Sequence, residues 1–168
     1  DSVYVAHLLK HKYNMHPLTV TWAPHIYTDI GKINFYNMVD SGFDNVLITP
    51  NGKVHRLLTK LAFLKLGHPF QPFIVGQRLV GPKIALEKKI PLVFYGENVA
   101  EYGNRIKDNY SPLMDNRLIT AFDVDNNDLL LSGTKIGELK NYYKLTNNDL
   151  EAYRSPKIEE INKLDMQV

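Results

Sequence analysis

Apolar residues recur at two different periods along this chain of 168 residues, and the alternation between the two sets the expected fold. Val3, Ala6, Leu9 and Tyr13 fall on one face at helical spacing, and Asp1-Ser2 stand just before them as an acidic and a hydroxyl residue at a helix N-terminus. Asn14 is the expected stop. Residues 18–22 (Leu-Thr-Val-Thr-Trp) then read as a short buried strand, ended by Ala23-Pro24. Thr28 or Asp29 caps a second helix through Asn34, Phe35 and Val39, closed by Ser41-Gly42. Residues 45–48 form a second strand ending at Pro50-Asn51-Gly52.

A strongly periodic helix follows, with Val54, Leu57, Leu58, Leu61 and Leu64 in one stripe and Gly67 as its terminator. Residues 71–89 read as two helical pieces broken at Gly81-Pro82, because proline disfavours a helix through it. Residues 90–95 form the clearest strand and run directly into Gly96-Glu97-Asn98. Farther on, residues 118–122 and 128–131 flank a polar turn as a candidate hairpin. Thr146 with Asp149 makes a capping-box start for a helix through Tyr153, and residues 157–166 form a last amphipathic helix.

Strands alternating with helices at this spacing predict an α/β fold with an open parallel sheet and flanking helices. Ligands of such sheets sit outside the carboxyl ends of the strands. That rule places residues 21–25, 48–51 and 96–102 on one rim.

Composition narrows the function classes. Apolar residues at 44% and charged residues at 23% are ordinary for a soluble globular chain. The net charge of +2, from Lys and Arg spread along the chain, gives no argument for nucleic acid. No apolar run reaches the roughly 20 residues of a membrane span, so the cytoplasm is the expected location. Cysteine is absent, which excludes a disulfide framework, a thiolate zinc site and a cysteine nucleophile from these residues.

Several polar groupings remain as candidate chemistry. Residues 123–128 look like a calcium loop only superficially, since Asp128 replaces the glycine and Thr134 the glutamate that such a loop needs; a solvated turn is the expectation. His7 and His11 have i, i+4 spacing but no evident third ligand, and His25 lies just past a strand end. Gly96-Glu97-Asn98, followed by Glu101, Tyr102 and Gly103, is the densest polar cluster at a predicted strand end, readable as a ligand loop or as an ordinary βα connection. Gly76-Gln77 can reach the same rim or simply mark a helix break. Thr28-Asp29-Ile30-Gly31 is a helix start on that rim.

Taken together these segments resemble a known family. Asp1-Ser2 before a helix is similar to the end of the PP-loop, Ser-Gly-Gly-x-Asp-Ser, of the ATP pyrophosphatase superfamily. Pro17-Leu18-Thr19-Val20-Thr21, the run from Thr28 to Asn34, Gly42-Phe43-Asp44, and Ile90-Pro91-Leu92 through Gly96-Glu97-Asn98 with Glu101-Tyr102-Gly103 resemble the N-acetyl sugar amidotransferases of bacterial lipopolysaccharide and other surface-polysaccharide synthesis. The similarity runs from Asp1 to about Asn104 and more loosely to Pro156.

The resemblance implies an adenine-nucleotide hydrolase-like, Rossmann-like core over residues 1–110, lacking its first strand, with residues 111–168 as a mainly helical extension of the same domain. It implies ATP and Mg2+ as cofactors and an acetamido sugar, possibly nucleotide-linked, as substrate. ATP adenylates the acetamido carbonyl with release of pyrophosphate, and ammonia displaces AMP to leave an acetamidino group. Asp1 and Ser2 would hold phosphate, with Asp1 also seating the metal. Thr21, Trp22, Gly31 and Gly96 would border the nucleotide. Glu97, Asn98 and Glu101 would face the reacting amide or metal, and Gln77, Asn98 and Tyr102 the sugar. Because the chain has no cysteine to open glutamine, the expected partners are a separate glutaminase and an ammonia-channel subunit. The loop's Ser-Gly-Gly part and the strand before it are missing from the sequence, so the expectation is an internal fragment, inactive alone. The alternatives are another PP-loop adenylating enzyme, such as a tRNA-modifying one, and an ATP-binding module of universal-stress type.

Overall fold

The computed structural model describes residues 2–97 and 112–168. They form α1 (Ser2–His11), β1 (Thr19–Trp22), α2 (Asp29–Asp40), β2 (Asn45–Ile48), α3 (Gly52–Leu66) and α4 (Gln71–Lys88). After these come α5 (Arg117–Thr120), β3 (Leu130–Leu131), β4 (Thr134–Lys135), α6 (Ile136–Asn141), α7 (Asn147–Leu150), a 3-10 turn (Glu151–Tyr153) and α8 (Ile158–Leu164). The chain is thus mixed α/β. Its parallel sheet is small: β1 pairs with β2 from Thr19↔Asn45 to Trp22↔Ile48, with α2 as the crossover.

Local chemistry explains the helix boundaries. The Thr28 hydroxyl accepts from the Gly31 amide to start α2, and the Asn51 carboxamide accepts from Lys53 and Val54 to start α3. Gly67 ends α3 at φ 65°, a left-handed conformation that glycine adopts without a Cβ penalty. Thr146 and Asp149 form the expected reciprocal capping box of α7.

Three expectations change. Residues 71–88 are one helix, not two. Pro82 cannot donate to the Arg78 carbonyl one turn back, and the Tyr95 hydroxyl donates to that carbonyl instead. Residues 90–95 are not a ladder strand. Leu92 makes a single parallel bridge to Gln167, secured by Val93 N–H to the Gln167 carbonyl and Gln167 N–H to the Pro91 carbonyl, each within 2.9 Å. The wider open sheet is therefore absent among the described residues, because nothing there joins β1 to residues 92–95. The hairpin also shifts: Leu118 lies in α5, and β3 pairs with β4 across Ser132-Gly133, whose φ angles of 58° and 68° suit a two-residue turn.

The core centres on α4. Val75, Leu79, Val80, Ile84 and Ala85 of that helix pack with Trp22, with Val54, Leu58 and Leu61 of α3, and with a carboxyl-terminal layer of Ile119, Leu131, Ile136, Leu139, Leu150, Tyr153 and Ile161. Leu64, expected in the α3 stripe, is 66% exposed; Ala62 is buried in its place. The amino-terminal helices bury much less. α1 buries Ala6 alone, and α2 buries no residue.

Candidate functional site

The first turn of α1, the end of β1, the middle of α4 and the segment leading to Glu97 meet around one cavity of about 610 Å³. Of the residues expected at the site, Ser2, Thr21, Trp22, Gln77, Gly96 and Glu97 line it. Gly31 lies away from it, in the first turn of α2, where its amide serves the Thr28 cap. Asp1, Asn98, Glu101 and Tyr102 lie outside the described residues.

Close approach explains both glycines. A Cβ on Gly96 would overlap the Cα and side chain of Ser2, so glycine lets this segment reach the amino end of α1. A Cβ on Gly76 would overlap the Trp22 indole, so that glycine lets α4 lie on the end of β1. At the next residue, Gln77 Nε2 donates to Glu97 Oε1 at 2.9 Å and ties α4 to the loop. Thr21 Oγ1 accepts from Asn45 Nδ2 at 3.0 Å, so its hydroxyl braces the sheet. Trp22 is buried, with Nε1 unpaired among the described residues.

Chemically this rim offers helix-end amides and a hydroxyl for an anion, and a carboxylate with a neighbouring carboxamide for a metal, hydroxyl or amide. A magnesium ion that arrives on phosphates needs only one or two protein carboxylates, and Glu97 is the carboxylate lining the cavity. No group of three or more His, Asp or Glu side chains placed to hold a metal ion gathers anywhere among the described residues, this rim included. In particular, the His7 and His11 rings lie 4.4 Å apart without a third ligand, and residues 123–128 form turns closed by the Asp123 and Asn126 side chains.

A second cluster escaped the sequence pattern. His55 Nδ1 meets the Tyr153 hydroxyl at 2.5 Å, His25 stacks on His55 with centroids 4.5 Å apart, and Phe73 adjoins both rings. Burial, with repulsion from His25 second, lowers the His55 pKa to about 4, so the imidazole is neutral at pH 7. Burial also raises the Tyr153 pKa above the ordinary phenol range. His55 directly follows Val54 of the apolar stripe, and that placement was the available signal.

Among the described residues no helix is long and apolar enough to cross a membrane. No protein-family model and no curated protein matches the chain.

Proposed function

We propose that this chain is the nucleotide-binding core of an ATP-dependent, AMP- and pyrophosphate-forming amidotransferase acting on the acetamido group of a sugar. The observation carrying the reading is the convergence of Ser2, Gly96, Gln77 and Glu97, far apart in sequence, at one rim. The finer fold that goes with it is an open, Rossmann-like parallel sheet, of which β1 and β2 are the paired part.

In the reaction, the acetamido oxygen attacks the α-phosphorus of ATP and pyrophosphate leaves. Ammonia adds to the resulting imidate carbon, and AMP departs with the former carbonyl oxygen. Both displacements are positioning and charge problems, and they require no protein nucleophile. Amides of the first turn of α1 and the Ser2 hydroxyl hold phosphate. Glu97, oriented by Gln77, faces the magnesium or the incoming ammonia. When bound, Mg2+ neutralises charge on the departing pyrophosphate. Ammonia would come from a separate glutaminase through a channel subunit.

The test is pyrophosphate release from Mg-ATP with ammonium and a panel of acetamido sugars. Sugar-dependent release is expected, with Glu97→Gln lowering turnover at least about tenfold while Tm changes little. ATP binding without release with any sugar would favour a non-catalytic binding module, and release with tRNA in place of sugar a tRNA-modifying enzyme.

A further inference from the structure

α3 turns Val54, Leu58 and Leu61 into the core and leaves its opposite face bare. Lys53, Arg56, Lys60, Phe63 and Leu64 follow one another at helical spacing and share that outward face. All five are exposed, Phe63 by 61% and Leu64 by 66%. The helix contains no Asp or Glu. None of the three cations forms an ion pair among the described residues, whereas Lys65 of the same helix meets Glu138 at 3.1 Å. No residue of this face lines the large cavity, so the face is separate from the nucleotide reading.

The face is graded along the helix axis. Cations occupy the amino-terminal half, from Lys53 to Lys60, a span of about 10.5 Å at 1.5 Å per residue. The helix dipole adds positive charge at that same end. The apolar pair follows in the next turn. This order selects among occupants. A helix lying on a membrane immerses an apolar face along its whole length, but here the amino-terminal half of the face is cationic. A phosphate backbone would satisfy the cations and leave Phe63 and Leu64 against charge. A polypeptide surface graded in the same way, carboxylates followed by large apolar side chains, satisfies both halves.

We infer that the outward face of α3 docks an acidic amphipathic helix of a partner protein. Its carboxylates lie opposite Lys53, Arg56 and Lys60, and its large apolar side chains opposite Phe63 and Leu64. The partner segment is a helix because its side chains must repeat at the spacing of the helix they meet. Two helices laid side by side do this over successive turns by packing ridges into grooves. The two halves of the face then act differently. Exposed charges steer the encounter and set the register, while the apolar pair, once covered, slows release.

The test uses the whole chain and two labelled synthetic peptides, cross-linked internally because short helices are marginal in water. Each carries Glu on one half and Leu on the other half of a single face. One is Glu-first and the other Leu-first, which covers both docking directions. The expected result is saturable binding of one of them, with NMR shift changes confined to residues 53–64. Arg56→Glu with Lys60→Glu should slow association at least about tenfold, and added salt should slow it in the unaltered chain. Phe63→Ser with Leu64→Ser should speed dissociation about tenfold. All four positions are exposed, so the helical circular-dichroism signal should be kept in both variants. A peptide with Lys in place of Glu should recover binding to the charge-reversed variant. No saturable binding of either peptide, equal binding of a peptide with Glu and Leu interleaved, or shift changes elsewhere would overturn the inference. Tighter binding of anionic lipid vesicles or of an oligonucleotide to this face would also overturn it, as would self-association of the chain that Arg56→Glu abolishes.

Discussion

The two sides of the small sheet are built to different standards. α3, α4 and the carboxyl-terminal layer share one close-packed core in which Leu58, Leu79, Ile119, Leu139 and Ile161 are essentially inaccessible to solvent. α1 and α2 carry comparably apolar sequences, yet Val3, Tyr4, Ile30, Ile33 and Tyr36 are all about half exposed or more. Amphipathic pattern alone does not bury a helix: a helix packs when the surface opposite it is continuous. α3 and α4 face each other and the layer beyond. α1 lines a cavity, so its apolar stripe has little to rest on.

The largest effects should therefore come from one side. Leu79→Ala leaves a cavity in the centre of the core and should cost about 2–5 kcal/mol in urea unfolding. Leu9→Ala, on the cavity wall of α1, should cost less than about 1 kcal/mol, because little packing is lost. Equal costs would break the comparison.

The buried histidine sharpens it through pH. His55 is 6% exposed, and its pKa is lowered from 6.5 to about 4 in the folded chain. Above pH 6.5 the imidazole is neutral in folded and unfolded forms alike. As pH falls from 6.5 toward 4, the unfolded chain takes up a proton that the folded chain refuses, so stability falls, by about 3 kcal/mol in all. His55→Gln keeps a hydrogen-bonding partner for Tyr153 and should flatten this acid limb. An unchanged slope between pH 4 and 6.5 in the variant would mean that the loss arises elsewhere. His25, stacked on His55, and Tyr153, bonded to it, are the ring contacts whose NMR signals should report the change.

These same elements show what was legible in the sequence. Helices with local caps were readable, because Thr28, Gly67 and the Thr146–Asp149 pair act within one turn of themselves. The break expected at Gly81-Pro82 was wrong for a reason no local rule contains: the partner that repairs the helix, Tyr95, is thirteen residues farther on. The strand expected over residues 90–95 has the right composition, but a strand is a relation between two chains of backbone, and among the described residues only Gln167 supplies one. At the site, Gly96 and Glu97 followed from the strand-end rule, Gln77 from a segment that could reach the same rim, and Ser2 from the helix start and the family likeness, whereas Gly31, also on that expected rim, serves a cap. The His55–Tyr153 pair joins elements 98 residues apart and left no periodic trace.

The proline repair gives the next prediction. Tyr95→Phe keeps the ring and deletes the hydroxyl that donates to Arg78, leaving a half-buried carbonyl unpaired in the middle of α4. About 1–2 kcal/mol of destabilisation is expected, with faster amide exchange around residues 78–82. Because Tyr95 also lines the cavity beside Leu92 and Phe94, exchange at those two residues should rise with it. Protection at those two unchanged would separate the helix repair from the wall.

The smallest effect is the most diagnostic for the weaker side. Ile30 and Ile33 are 67% and 53% exposed on α2, with no buried residue beside them on that helix. Ile30→Ser and Ile33→Ser together should change stability within about 0.5 kcal/mol per site, as exposed positions do, after allowing for the lower helix propensity of serine. The chain should also become less prone to associate, since two apolar side chains leave the surface. A loss of several kcal/mol would mean that these side chains are covered in solution. α2 would then belong to a packed layer, and the contrast between the two sides of the sheet would vanish.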